Sequence, residues 1–230
     1  DYPRIVNPES GRIWTANSRV ADGAALDLIG DGGYDFAARA RQIRDGLLGK
    51  ESFVPADMLP IQLDDRAVLL SRWRDLLLET LDEDAVAGHE SRAELRALVE
   101  DWLPRAAPAS VGYRLVRAFR REVRLNVFDM LMQPAIDQFG DDVELRISNQ
   151  FEAPLWAMVT EKPAHLLSPR YASWNDLLLE AIDNRKLSDI AVTLYNLGGK
   201  PNFRDPHDPS AEPAYVLHVD EQEVIPGVFW

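Results

Sequence analysis

The stretch NPESGRIWTANSR, residues 7–19, contains the side chain in this sequence whose setting most invites a chemical question. Asn-Pro and Ser-Gly suffice to build a turn, yet Thr15-Ala16-Asn17 follows the apolar pair Ile13-Trp14, which a turn does not require. A side-chain amide carries two N–H donors without a charge. Held rigidly, such a donor stabilises the negative oxygen that develops when an amide carbonyl is attacked. Asn17 is therefore a candidate oxyanion donor, with turn formation or capping as the commoner use of an Asn in such surroundings.

Other chemistries find less support. The chain has no cysteine, which excludes disulfides, thiolate nucleophiles and Cys-based zinc sites. The four histidines, His89, His165, His207 and His218, are never three or four residues apart, so no histidine pair offers a metal site on one helix face. His207 lies between Asp205 and Asp208, a loose cation contact or simply an acidic loop. Asp64 and Asp65 are adjacent, which on a helix sends them to different faces and disqualifies them as an acid/base pair. No Gly-rich phosphate loop follows a strand, and no GxSxG elbow occurs.

Charge sets further bounds. Arg114, Arg117, Arg120, Arg121 and Arg124 crowd one helical stretch, either as a basic groove-binding face or as a solvated or ion-paired face of an acidic protein. Aromatic residues are not interleaved there as a single-strand binder requires. A net charge of −13 and a pI near 4.7 oppose general affinity for phosphates or anionic lipid, so neither nucleic acid nor membrane is an expected partner. No apolar run approaches the roughly 18 residues of a membrane span. The opening DYPRIVNPES has no signal-type apolar segment and no initiator Met, as expected of a processed or excised piece of a longer chain.

The elements that must position Asn17 are mostly helical. Residues 1–33 read as irregular, with one short strand around Arg12 to Thr15. In YDFAARARQIRDGLLGK, Phe36, Ala40, Ile43 and Leu47 recur at helical spacing and Gly49 marks a C-terminus. PADMLPIQLDDRAVLLSRWRDLLLETL reads as one long helix with Ile61, Leu69, Trp73, Leu76 and Leu77 on one face and Asp65 as its polar interruption. Pro60 requires that helix to start near Ala56 or Asp57. Ser91 and Glu94 form a capping-box pattern for a helix to about Leu103. Leu115, Phe119, Val123, Val127 and Leu131 follow at intervals of four, with Pro134 expected to end or bend their helix. A further helix is expected over 143–158, and a last one in SWNDLLLEAIDNRK, with Ser173 and Asp176 at capping spacing. From about Leu187 the pattern changes to two β-leaning runs, IAVTLY and AYVLHV, around a Pro-rich loop.

Three segments in this order, NPESGRIWTANSRV, GDGGYDFAARARQIRDGL and DMLPIQLDDRAVLLSRWRDLLLETL, resemble the β subunit of the penicillin amidase (penicillin acylase) family over roughly residues 4–183. The resemblance implies an N-terminal-nucleophile amidohydrolase, matured by self-cleavage and exported to the periplasm or beyond, with antibiotic biosynthesis among the processes it would serve. The family pattern NPxxGxxxxxN ends in an Asn that donates to the oxyanion, here Asn17. An Arg in the helix after the Gly-Gly turn stands near that Asn and the nucleophile's amine; Arg39 is the best match and Arg41 the fallback. The nucleophile itself is the first residue of the family's β subunit, a role open neither to Asp1 nor to Ser10 or Ser18, which have no free α-amine. Calcium, bound in some members, finds only a partial match in Asp27.

The expected fold is thus mainly α with short β segments, part of an αββα N-terminal-nucleophile hydrolase fold. It divides into an active-site segment (1–33), a helical region (34–185) and a divergent tail (186–230). The expected role is hydrolysis of a small-molecule, non-peptide amide, with the α subunit and the N-terminal β segment as partners, no cofactor held by this chain, and no activity in isolation. A helical interaction module without chemistry, docking through its arginine-rich helix, is the alternative.

Overall fold

Leu115, Phe119, Val123 and Val127 are all fully buried, and the helix that carries them, α7 (Val111–Phe139), is the centre of the described helical bundle. The structure, a computed structural model, describes residues 4–30, 32–107, 110–140 and 147–183. Ser110 begins α7 by accepting the Tyr113 N–H at 3.3 Å while its hydroxyl donates to the Leu103 carbonyl at 2.7 Å. Gly112 lets α7 approach the preceding chain closely, because a Cβ there would lie 2.3 Å from Trp102 Cβ.

Against α7 pack α4 (Val68–Thr80), α6 (Glu90–Glu100) and α9 (Trp174–Asp183). Trp73 meets Phe119 edge-on at 6.3 Å and Trp156 at 5.2 Å, and Leu77, Leu81, Val99, Leu155, Leu177 and Leu178 complete a fully buried core. Trp156 belongs to α8 (Glu152–Glu161), and the four-residue α5 (Glu83–Val86) links α4 to α6. Arginines close several helix ends: Arg74 donates to the carbonyls of Val99 and Glu100, and Arg96 to those of Leu78 and Leu81.

Two carboxylates among the described residues are buried in this bundle, Glu122 and Glu152. Glu152, 1% exposed, accepts from Trp73 Nε1 at 2.8 Å, Arg72 Nη2 at 2.7 Å and Arg120 Nε at 2.9 Å. Burial acts to raise its pKa, but the hydrogen bonds and charge of Arg120, with those of Trp73 and Arg72, outweigh burial and hold it below the ordinary value.

The N-terminal part is built differently. α1 (Gly23–Ile29) has no buried residue, and α2 (Ala38–Leu48) buries only Ala40. α3 (Met58–Gln62), preceded by a 3-10 turn at Pro55–Asp57, leans on α2 where Ile61 would meet a Cβ on Gly46 at 3.1 Å.

Several expectations need correction. No strand forms around Arg12 to Thr15; that chain is irregular, and among the described residues the sole β feature is an antiparallel bridge between Arg66 and Arg105. Within the segment expected to be irregular, Gly23–Ile29 is helical. The long helix around Pro60 is two helices, α3 and α4. Asp64 takes the Arg66 N–H and guanidinium, while Ala67 N–H and Asp65 C=O bond to Pro104 and Ala106, so backbone groups a helix would need are spent elsewhere. The Ser91 capping box is unused, because α6 starts at Glu90, two residues earlier than that cap would allow, with His89 at its N-cap. Pro134 lies inside α7, which continues to Phe139. The helix expected at 143–158 is a 3-10 turn at Asn149–Phe151 followed by α8 to Glu161, with 143–146 outside the described residues. The expected strands after residue 186 also lie outside them.

Candidate functional site

A turn opens the site loop: Gly11, at φ +61°, donates its N–H to the Pro8 carbonyl at 2.8 Å. Arg12 then fastens the loop to the end of α2. Its guanidinium donates to the carbonyls of Leu47 (3.2 Å), Lys50 (3.2 Å) and Glu51 (2.7 Å), and lies 5.0 Å from the centre of the Phe53 ring. A cation there answers the unpaired carbonyls and negative pole of a helix C-terminus.

From Arg12 the chain runs back along α2 to Asn17, which sits at φ +60°. Left-handed backbone is strained for most L-residues, and Asn is among the few that adopt it. Asn17 is exposed while its neighbour Ser18 is buried. The Asn17 backbone carbonyl accepts from Asp35 N–H at 2.8 Å, and its side-chain Oδ1 accepts from Arg39 Nη2 at 3.0 Å. The same Nη2 lies 3.3 Å from Asp35 Oδ2. Residues 17, 35 and 39 thus form one polar knot at the start of α2. The amide oxygen of Asn17 is taken, which leaves its N–H2 group to donate.

Of the two arginines weighed, the structure brings Arg39 to Asn17. Arg41 faces the other side of α2, 3.9 Å from Asp45. There it borders a cleft of about 530 Å³ between the loop, α2 and α4, with Trp14, Phe36, Arg44, Arg66 and Arg72 also on its walls. These arginines are engaged: Arg44 with Asp45 (2.6 Å), Arg66 with Asp64 (2.7 Å) and Arg72 with Glu152 (2.7 Å). Arg66's hydrogen bonds hold the Asp64 carboxyl well below the usual carboxylate range.

Two members of the site escaped the sequence. Asp35, four residues before Arg39, carried only a weak i, i+4 signal. Gln150 carried none, yet its Nε2 donates to the carbonyls of Tyr34 (2.8 Å) and Asp35 (3.3 Å).

The arginine-rich stretch of α7 is used within the fold. Arg120 bonds Glu152, and Arg124 donates to the carbonyls of Ile147 (3.4 Å) and Ser148 (3.1 Å). Burial lowers the pKa of Arg114 and of Arg124. Among the described residues no three His, Asp or Glu side chains gather as for a metal ion, and Asp27 is exposed on α1. Asp205, His207, Asp208 and His218 lie outside the described residues. No described helix is long and apolar enough to cross a membrane.

A family model described as Penicillin amidase matches residues 1–198. Comparison with curated proteins gives no match.

Proposed function

The chain belongs to the penicillin amidase family, and on that footing we propose that it supplies the oxyanion donor of an acylase that hydrolyses a small-molecule, non-peptide amide. The observation that carries this reading is the held amide of Asn17: left-handed backbone, oxygen committed to Arg39, and N–H2 left to donate on an exposed residue. Rotating that amide would turn its N–H2 towards the guanidinium and forfeit a charge-assisted hydrogen bond. Arg39 therefore acts as an orienter, and Asn17 as the group that meets substrate.

In the complete enzyme an N-terminal Ser, Thr or Cys upstream of this chain attacks the amide carbonyl. Its own α-amine, ordinarily of pKa about 7.7–8, takes the proton. The carbonyl oxygen gains charge, Asn17 Nδ2 donates to it, and the C–N bond breaks as the amine departs with a proton, leaving an acyl-enzyme for water to cleave. The Arg39 cation favours the neutral, basic form of a nearby amine. The α subunit and N-terminal β segment provide the nucleophile and the acyl pocket, the helices 34–183 form an excursion from an αββα sheet, and the assembled enzyme works in the periplasm or outside the cell.

The test is Asn17→Gly in the complete enzyme. Glycine keeps the left-handed backbone and removes only the amide, so kcat should fall about 100- to 1000-fold. A rate close to wild type removes Asn17 from the site. The chain by itself should not turn over chromogenic acyl anilides.

A further inference from the structure

We propose that Gln150 is a positioning residue for Asn17, through which the helical bundle sets the geometry of the site; the inference rests on the oxyanion role of Asn17. The segment from Gly33 to Ala37, which leads into α2, has no regular hydrogen-bond ladder and no buried side chain. Apart from the Ala37 carbonyl, which receives the Arg41 N–H at 2.9 Å where α2 begins, its backbone is held by two polar connections to other parts of the chain. One is the Asp35 N–H donated to the Asn17 carbonyl at 2.8 Å, and the other is the Gln150 amide, whose single nitrogen serves the carbonyls of Tyr34 and Asp35. Moving residue 35 moves both of its links to the site, because its N–H holds the Asn17 backbone while its carboxylate shares Arg39 Nη2 with the Asn17 amide.

Gln150 is well placed to impose a position. Its own N–H is received by Ser148 Oγ at 3.1 Å, and the next residue, Phe151, meets Phe128 of α7 edge-on at 5.8 Å. The residue after that is Glu152, locked by Trp73, Arg72 and Arg120. A donor rooted in the core of the bundle thus reaches across to an otherwise loosely built loop. Displacement of a donor by about 1 Å costs catalysis up to about a hundredfold.

The experiment is a kinetic cycle in the complete enzyme with Gln150→Ala, Gln150→Glu, Asn17→Gly and the Gln150→Ala/Asn17→Gly double variant. Gln150→Ala should lower kcat about ten- to a hundredfold with KM little changed. Gln150→Glu has the same size but no N–H2 to offer two carbonyls, so it should lose at least as much; a role in packing alone would leave it milder than alanine. In the Asn17→Gly background, Gln150→Ala should change kcat by less than about twofold, because its effect travels through the missing amide. If Asn17→Gly is slow but Gln150→Ala or Gln150→Glu runs at the wild-type rate, or the two losses multiply, the positioning role is wrong and the oxyanion reading survives. If Asn17→Gly itself runs at the wild-type rate, both fall.

Discussion

Residues 68–183 and residues 4–63 are held together by different physics. In the first, Trp73, Phe119, Leu115, Val123, Leu155 and Leu177 are wholly shielded from water, and removal of apolar surface is what stabilises the bundle. In the second, only Ser18 and Ala40 are buried among the described residues, while Ile5, Val6, Ile13, Leu48, Val54, Leu59 and Leu63 face outward. What orders the site loop there is a few directional bonds: Arg12 to the end of α2, Arg39 to Asn17, and Gln150 to the 34–35 backbone. A stability held by burial is spread over many side chains, whereas one held by single hydrogen bonds can be removed one residue at a time.

The largest effect should come from Glu152→Ala. Taking away the carboxylate leaves Arg72 and Arg120 partly buried without their partner, at a cost of about 3–5 kcal/mol in urea unfolding. The same group gives the bundle an acid sensitivity. Its folded pKa lies below the ordinary 4.5, so its stabilising contribution is complete above that value and lost as pH falls through the lower folded value. Glu152→Gln should flatten the decline of stability in that acid range; an unchanged pH profile would show that other groups cause it. Gly112→Ala comes next, because its Cβ would overlap Trp102 and the Leu98 carbonyl where α6 meets α7. Overpacking of this kind costs about 1–3 kcal/mol, and a neutral outcome would mean that the close approach of the two helices is easily relaxed.

The two regions also differed in how much could be read from sequence. Leu115, Phe119, Val123 and Val127 revealed α7 because burial imposes a period, and Ser173 stands where it caps, receiving Asp176 N–H at 3.1 Å. Gly49 likewise sits at the end of α2. The break between α3 and α4 was hidden: helical spacing runs straight through Asp64 and Asp65, and the groups that interrupt it, Pro104 and Ala106, are some forty residues away. α1 escaped for the opposite reason, since a seven-residue helix that buries nothing leaves no apolar period to detect. At the candidate site, Asn17 and Arg39 could be singled out by resemblance, but the residues that contact them could not. The links of Arg12 to Leu47 and of Gln150 to Tyr34 join residues 35 and 116 apart, and a hydrogen bond to a distant backbone carbonyl leaves no mark on residue type.

Smaller effects test the N-terminal side of the contrast. Arg12→Ala should raise amide hydrogen exchange over residues 12–18 about tenfold while global stability moves by less than about 1 kcal/mol, because only a local opening becomes easier. Cooperative loss of the whole fold would mean that the loop and bundle share one unfolding unit. Least of all should follow from Leu63→Ser. That side chain is 62% exposed at the end of α3, so a hydroxymethyl in its place removes little buried apolar surface, and stability should stay within about 0.5 kcal/mol. A buried leucine cut down to a small side chain loses about 2–5 kcal/mol. A loss of that size at residue 63 would mean that the outward-facing apolar residues are covered in solution, and that the N-terminal part, too, depends on burial.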